Sequence, residues 1–261
     1  MNEFEFIKLE KNNGVATITL NRPEVYNAFN DGLTYDLQNA FKLIKKDDEV
    51  RVVVITGEGK AFCSGQDLKA ASADPNRSFS DSLHKRYNPM IRAVRNLEKP
   101  VICRLNGVAA GAGCSLALAC DLIVAAENAM LIEVFVNIGL VMDSGSSYFL
   151  PRVVGSSKAF ELATMGTRLS AKEAFDLGIV NKVVPMDELD LAVKTYTDYY
   201  ANAPTRAIGI MKKMLNKSQN ASLDEMLEYE AYCQDIAGGT HDYKEGTTAF
   251  LEKRKPNFKG N

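Results

Sequence analysis

Two small-residue turns and one acid carry whatever chemistry this chain performs. Residues 106–121, NGVAAGAGCSLALACD, run from a glycine- and alanine-rich turn into an apolar helix. At Gly111, Ala112 and Gly113 almost no side chain keeps a ligand from the backbone N–H groups. The first turn of a helix leaves such donors without an internal partner, and its dipole favours negative charge. Residues 61–69, AFCSGQDLK, repeat the device, with small residues leading into a short helical segment. Close packing of a helix beneath a sheet accounts for either stretch as well as anion binding does. Added to Asp143, the two turns suit stabilisation of a thioester enolate while a carboxylate moves a proton. Each N–H fixed on the carbonyl oxygen contributes roughly 3 kcal/mol to such a charge. The carboxylate needs an apolar pocket, where desolvation raises its pKa toward useful basicity.

Other chemistries lack their parts. A P-loop ending at Gly59-Lys60 requires glycine where Val54 stands and Ser or Thr where Ala61 stands. The dinucleotide fingerprint begun by Gly111 and Gly113 meets Leu116 in place of its third glycine. No G-x-S-x-G elbow occurs, and Ser146 and Ser147 have no histidine near them in sequence. His84 and His241 are far apart, and the five cysteines form no C-x-x-C pair, so reduced thiols and no metal site are expected. With 31 basic against 33 acidic residues, nothing in the charge points to nucleic acid or membrane as a partner. The start, MNEFEFIKLEKNNG, reads as neither signal nor transit peptide, and no apolar run reaches the ~18 residues of a membrane span. A cytoplasmic protein is expected.

The elements that must position the turns alternate along the chain. Residues 4–9 and 15–20 read as a hairpin around Asn12-Asn13-Gly14, and Asn30 caps a helix marked by Leu33, Leu37, Ala40, Phe41 and Ile44. The run VVVIT at 52–56 is a strand buried on both faces. Asp74-Pro75-Asn76-Arg77 reads as a mobile loop, and residues 83–97 as one long amphipathic helix. Residues 101–105 form a strand feeding the turn at Gly111, followed by a strand at 122–125. Residues 134–150 resist assignment, and Asp143 sits in their middle. A helix over 157–165, a capping box Ser170 to Glu173 and a strand over 179–184 follow. After Pro185 only helices are expected, among them one opened by a Ser222 to Glu225 capping box and a last one over 246–254. An α/β core over 1–200 and a helical region over 201–261 are the resulting units.

Along nearly its whole length the chain resembles the crotonase, or enoyl-CoA hydratase/isomerase, superfamily. The resemblance is carried, in order and spacing, by Asn21-Arg22-Pro23 with Asn27-Ala28, by Gly59 through Leu68, by Asn106 through Asp121, and by Gly139-Leu140 with Asp143. It implies a spiral of ββα repeats with a C-terminal helical trimerisation region, assembled as a homotrimer or dimer of trimers. It implies an acyl-CoA thioester substrate, with coenzyme A part of the substrate and no separate cofactor. By position, the family's oxyanion-hole amides fall on Cys63 and Ala112. Ala61, Ser64, Gly65, Gln66, Asp67 and Leu68 fall along the coenzyme A path, with Gly111 at the second turn. Lys253, on the last helix, either reaches the coenzyme A phosphates or belongs to a solvated basic face.

The departures from the family select the reaction. Hydratases of the family carry two glutamates that handle water, and those positions here hold Ser115 and Phe135. Glu133 is a rival acid if strand alternation puts it on the face of Phe135. Asp143 falls where isomerases of the family, including those acting on ring-1,2-epoxyphenylacetyl-CoA in phenylacetate breakdown, carry their aspartate. That likeness extends to Tyr87-Asn88-Pro89, Ala109 through Gly113, Leu150-Pro151-Arg152-Val153 and Tyr243-Lys244-Glu245-Gly246. Met142 stands where those isomerases have proline, and Ser146-Ser147 where they have glycine-threonine. Isomerisation is expected; hydration, and a non-catalytic acyl-CoA or RNA-binding role, are the alternatives.

Overall fold

The computed structural model describes residues 4–72 and 77–261, so Asp74, Pro75 and Asn76 of the expected mobile loop lie outside the described residues. Strands β1 (Ile7–Asn12) and β2 (Val15–Leu20) pair antiparallel across Asn13 and Gly14, both at positive φ. In helix α1 (Asp31–Lys46) the Asn30 side chain accepts the Leu33 N–H at 2.8 Å, and the apolar stripe from Leu33 to Ile44 is buried. Then come β3 (Val52–Gly57), β4 (Ala61–Cys63), α2 (Leu68–Ser72), α3 (Phe79–Ser82) and α4 (Asn88–Asn96). A π-helical segment, Leu83–Tyr87, runs into α3 and α4 with helical backbone at both junctions, so the long helix expected over 83–97 is present, wound wider in its first turn and begun earlier at Phe79.

The central segment continues with β5 (Val101–Leu105), β6 (Val108–Ala110), α5 (Ala112–Ala119), β7 (Leu122–Ala126) and β8 (Met130–Ile132). A 3₁₀ turn, Val134–Ile138, leads through the loop of Asp143 to α6 (Ser146–Met165), β9 (Arg168–Ser170), α7 (Ala171–Asp176) and β10 (Lys182–Val184). Four helices follow: α8 (Leu189–Ala201), α9 (Thr205–Ser218), α10 (Leu223–Gly238) and α11 (His241–Leu251).

Among the described residues the strands form two sheets, one ordered β1-β2-β3-β5-β7-β10 and one β4-β6-β8-β9. From β2 to β10 the first sheet is parallel. The successive pairs β3/β4, β5/β6 and β7/β8 each send one strand to either sheet, so the chain advances as an α/β spiral of ββα turns. The apolar run of β3 follows from this: Val53 and Ile55 face the main core, while Val52 and Val54 pack with Leu189, Ala192 and Val193 of α8. Lys212 of α9 is buried, its ammonium 2.7 Å from Asp121 and 2.9 Å from the Val94 carbonyl, which fastens the helical tail to the core.

Several boundaries differ from expectation. α6 is two helices parted at Gly155, whose φ of 78° is not helical; the second is the helix expected over 157–165, and the first, from Ser146, is unexpected. The last helix starts at His241 and ends before Lys253, which lies past it at φ 55°. Helical periodicity therefore does not aim Lys253. No helix among the described residues is long and apolar enough to cross a membrane.

Candidate active site

Strand pairing brings the two small-residue turns together. β4 runs parallel to β6, with Cys63 opposite Ala109, so Cys63 lies beside the turn that opens α5. The backbones then interlock where glycine leaves room. A Cβ at Gly113 would stand 2.2 Å from the Cys63 carbonyl oxygen; one at Gly65 would stand 2.7 Å from the Ala110 oxygen and 3.5 Å from the Ala112 nitrogen. Gly111, at φ 52°, gives its own N–H to the Ile132 carbonyl (2.9 Å) and turns the chain so that Ala112 is the first residue of α5. No side chain caps that helix, which leaves the donors of its first turn without an internal partner. All of α5 is buried. Close packing and presentation of amides are thus the same feature.

The asparagines of the sequence pattern brace the first turn. Asn27, fully buried, donates to the carbonyls of Glu58 (3.0 Å) and Ala61 (2.9 Å) and accepts the Arg22 N–H (2.9 Å). Asn106 donates to the carbonyls of Gly57 (2.9 Å) and Gly59 (3.0 Å). Beyond Ala61, itself buried, the chain is laced to residues 26–29. The Ser64 N–H reaches Tyr26 (3.0 Å), the Phe29 N–H reaches Gly65 (2.7 Å), and the Asp67 N–H returns to Phe29 (2.9 Å). Asp67 pairs with Arg22 at 3.0 Å, and Leu68 stands exposed at the start of α2. Burial pushes the Cys63 thiol up to about 12, so it stays neutral and donates to the Asn27 carbonyl. The polar group Cys63 can offer a ligand is its backbone.

Asp143 arrives from a separate loop. Ser144 and Gly145 both take positive φ, 51° and 89°, and the Ser146 N–H closes the turn on the Asp143 carbonyl at 3.0 Å. A non-glycine residue in this region stores backbone strain of the kind that clusters at functional sites. Burial raises the Asp143 carboxyl above its usual 3.8, opposed by the Ser144 hydroxyl that donates to it at 2.7 Å. Within range of its charge is Tyr87, which lies edge-on to Phe29 (centroids 5.9 Å apart) and gives its hydroxyl to Gln66. Burial first, then the charge of Asp143, pushes the Tyr87 phenol upward, while its hydroxyl is tied to Gln66 just past the first turn.

The structure corrects the strand-face reading of Glu133. β8 ends at Ile132, and residues 134–138 form a 3₁₀ turn, so Glu133 and Phe135 do not alternate on a strand. Glu133 is only 4% exposed, with Oε1 2.8 Å from the Ser146 hydroxyl. Ser146 Oγ is in turn 2.8 Å from Ser115 Oγ, which reaches the Asp143 carbonyl at 3.1 Å. This polar file and the part played by Tyr87 went unread in the sequence. Their signal there was faint, three polar residues set among glycine and apolar neighbours.

The family model described as enoyl-CoA hydratase/isomerase matches residues 10–261. The chain is 41% identical over 259 residues to the 1,2-epoxyphenylacetyl-CoA isomerase of Escherichia coli (strain K12), covering 98% of this chain and 99% of that one. It is 36% identical to the crotonyl-CoA hydratase of Syntrophomonas wolfei, with 98% of each chain covered. The crystal structure of an enoyl-CoA hydratase from Mycobacterium smegmatis superposes with a TM-score of 0.92 at 33% identity, covering 97% of this chain and 99% of that one.

Proposed function

The chain belongs to the enoyl-CoA hydratase/isomerase family, and from that membership we propose that it is an acyl-CoA thioester isomerase. The N–H groups of Cys63 and Ala112 hold the thioester oxygen, and Asp143 removes a proton from the acyl group and returns it at another carbon. The enolate formed between the two transfers is stabilised by donors that the interlocked turns fix in advance, at roughly 3 kcal/mol each. Coenzyme A enters as part of the substrate, with residues 61–68 and Gly111 along its path, and no further cofactor takes part. Exposed apolar side chains on α9 to α11, among them Leu215, Leu223, Leu227 and Phe250, suit subunit contacts of a homotrimer or dimer of trimers.

The observation that carries this reading is the half-buried carboxyl of Asp143. Burial tunes it as a base, and its charge acts on the tyrosine whose hydroxyl binds Gln66 just past the first turn. Ser115 and Phe135 offer no carboxylate where hydratases of the family carry two. A shift of a 3-enoyl-CoA double bond and rearrangement of the ring-1,2-epoxide of phenylacetyl-CoA both suit a single carboxylate. The test is turnover of both substrates by wild type and Asp143→Asn; activity unchanged in the variant refutes the assignment. Hydration is the second reading, favoured by the acid at Glu133, and crotonyl-CoA hydration lost in Glu133→Gln would establish it.

A further inference from the structure

Among the described residues, one buried side-chain polar atom has no hydrogen-bond partner, Oε2 of Glu133. Its other oxygen begins the file Glu133, Ser146, Ser115, Asp143, whose three contacts measure 2.8, 2.8 and 3.1 Å. Three hydrogen bonds need three protons. The file ends on a backbone carbonyl, which only accepts, and each serine hydroxyl supplies one proton. With Glu133 ionised, two protons must serve three contacts, and one pair of buried oxygens faces each other bare. Ser115 Oγ also lies 3.2 Å from the Gly111 carbonyl, a longer contact that shares the same proton. With Glu133 protonated, each contact of the file is made in one direction: carboxyl to Ser146, Ser146 to Ser115, Ser115 to the Asp143 carbonyl. We infer that Glu133 is a neutral carboxylic acid acting as a positioning residue, which holds the Asp143 loop in place through this directed file of hydroxyls.

The surroundings agree. Glu133 borders a small cavity walled by Leu118, Leu131, Leu150, Leu162 and Leu169, where an uncompensated charge is costly. The titratable groups near it are Cys114 of α5, whose thiol bonds to it, and Asp143, and neither is a cation. Burial raises its carboxyl above the usual range, against the opposing pull of the Ser146 and Cys114 contacts.

The inference rests on the isomerase reading for its kinetic consequence but not for the protonation state, and the tests separate the two. Infrared difference spectra of wild type against Glu133→Gln at neutral pH should show a protonated-carboxyl band lost in the variant; absence of the band overturns the inference whatever the reaction. In turnover, Glu133→Gln keeps a donor for Ser146 and should retain kcat, whereas Ser146→Ala and Glu133→Leu should each lower kcat about tenfold with KM unchanged, as a misplaced base does. Wild type should also lose kcat as pH rises through the raised Glu133 pKa, where ionisation reverses the file, while Glu133→Gln should not. If Glu133→Leu fails to fold, Ser146→Ala and the pH profiles carry the test. Should Asp143→Asn abolish isomerisation while Ser146→Ala keeps the wild-type kcat and pH profile, the file has no positioning role and the isomerase reading stands. Should Asp143→Asn stay active with the infrared band present, the isomerase reading fails and the neutral acid stands.

Discussion

Substituting Gly113 by alanine attacks the separation of the two turns without touching an acid or a donor. The new Cβ would lie 2.2 Å from the Cys63 carbonyl oxygen and 2.8 Å from both its carbonyl carbon and its Cβ. Carbon and oxygen at rest stay about 3.3 Å apart, so the turns must part by roughly 1 Å. No flexible side-chain tip is available to yield, because the obstructing atoms are backbone and Cβ, and Cys63 is fully buried. Overpacking of this kind costs about 1–3 kcal/mol of stability. Displacing donors by ~1 Å costs about 10²-fold in rate. The assay is kcat on a 3-enoyl-CoA, read beside a denaturant unfolding curve. Gly178→Ala is the control, since at φ 77° with nothing within 4 Å it adds strain but no collision. It should lose about 1–2 kcal/mol of stability and no kcat. A folded Gly113→Ala protein with kcat within about twofold of wild type would show that the spacing of the turns does not govern the transition state.

Ser144→Ala removes the hydroxyl that favours the Asp143 carboxylate, so the acid limb of the rate profile, already above the usual 3.8, should move to higher pH; a limb that stays or falls contradicts the assignment of the base. The Glu133 carboxyl is raised in the folded protein, so the folded state holds its proton longer than the unfolded chain does. Its contribution to stability is complete below the usual 4.5 and is lost as pH rises through the folded value, so Glu133→Gln should gain on wild type over that window in unfolding titrations. Lys212→Ala deletes three contacts, to Asp121, Val94 and Lys99, and should cost about 2–4 kcal/mol, measured as a lower urea midpoint at constant slope.

What the sequence revealed and concealed follows from how local each signal is. The stripe of α1, the buried run of β3 and the capping boxes at Ser170 and Ser222 are written in residues three or four apart, and the structure has them where they were read. The second sheet was missed because β4, β6, β8 and β9 are three residues each, too short to show alternation, and are held by partners far along the chain. The loop of Asp143 was opaque because its shape depends on left-handed residues at Ser144 and Gly145, the first of a type that seldom signals such a turn. Both small-residue turns were visible locally. That they meet at Cys63 and Gly113 is a property of the pairing between β4 and β6, for which spacing alone has no sign.

Helix α5 has no exposed residue, and its opening turn is wedged against Cys63, whereas Asp143 hangs on a loop joined to α6 by a single tight turn. On the proposed function, capture of a thioester and choice of reaction are therefore held by parts with opposite tolerance to change. Evolution, or a protein engineer, can relocate the carboxylate along the loop and the start of α6 while the amide cradle keeps its dimensions. One cradle can in this way serve a range of proton-transfer reactions, each distinguished by where its acid is mounted.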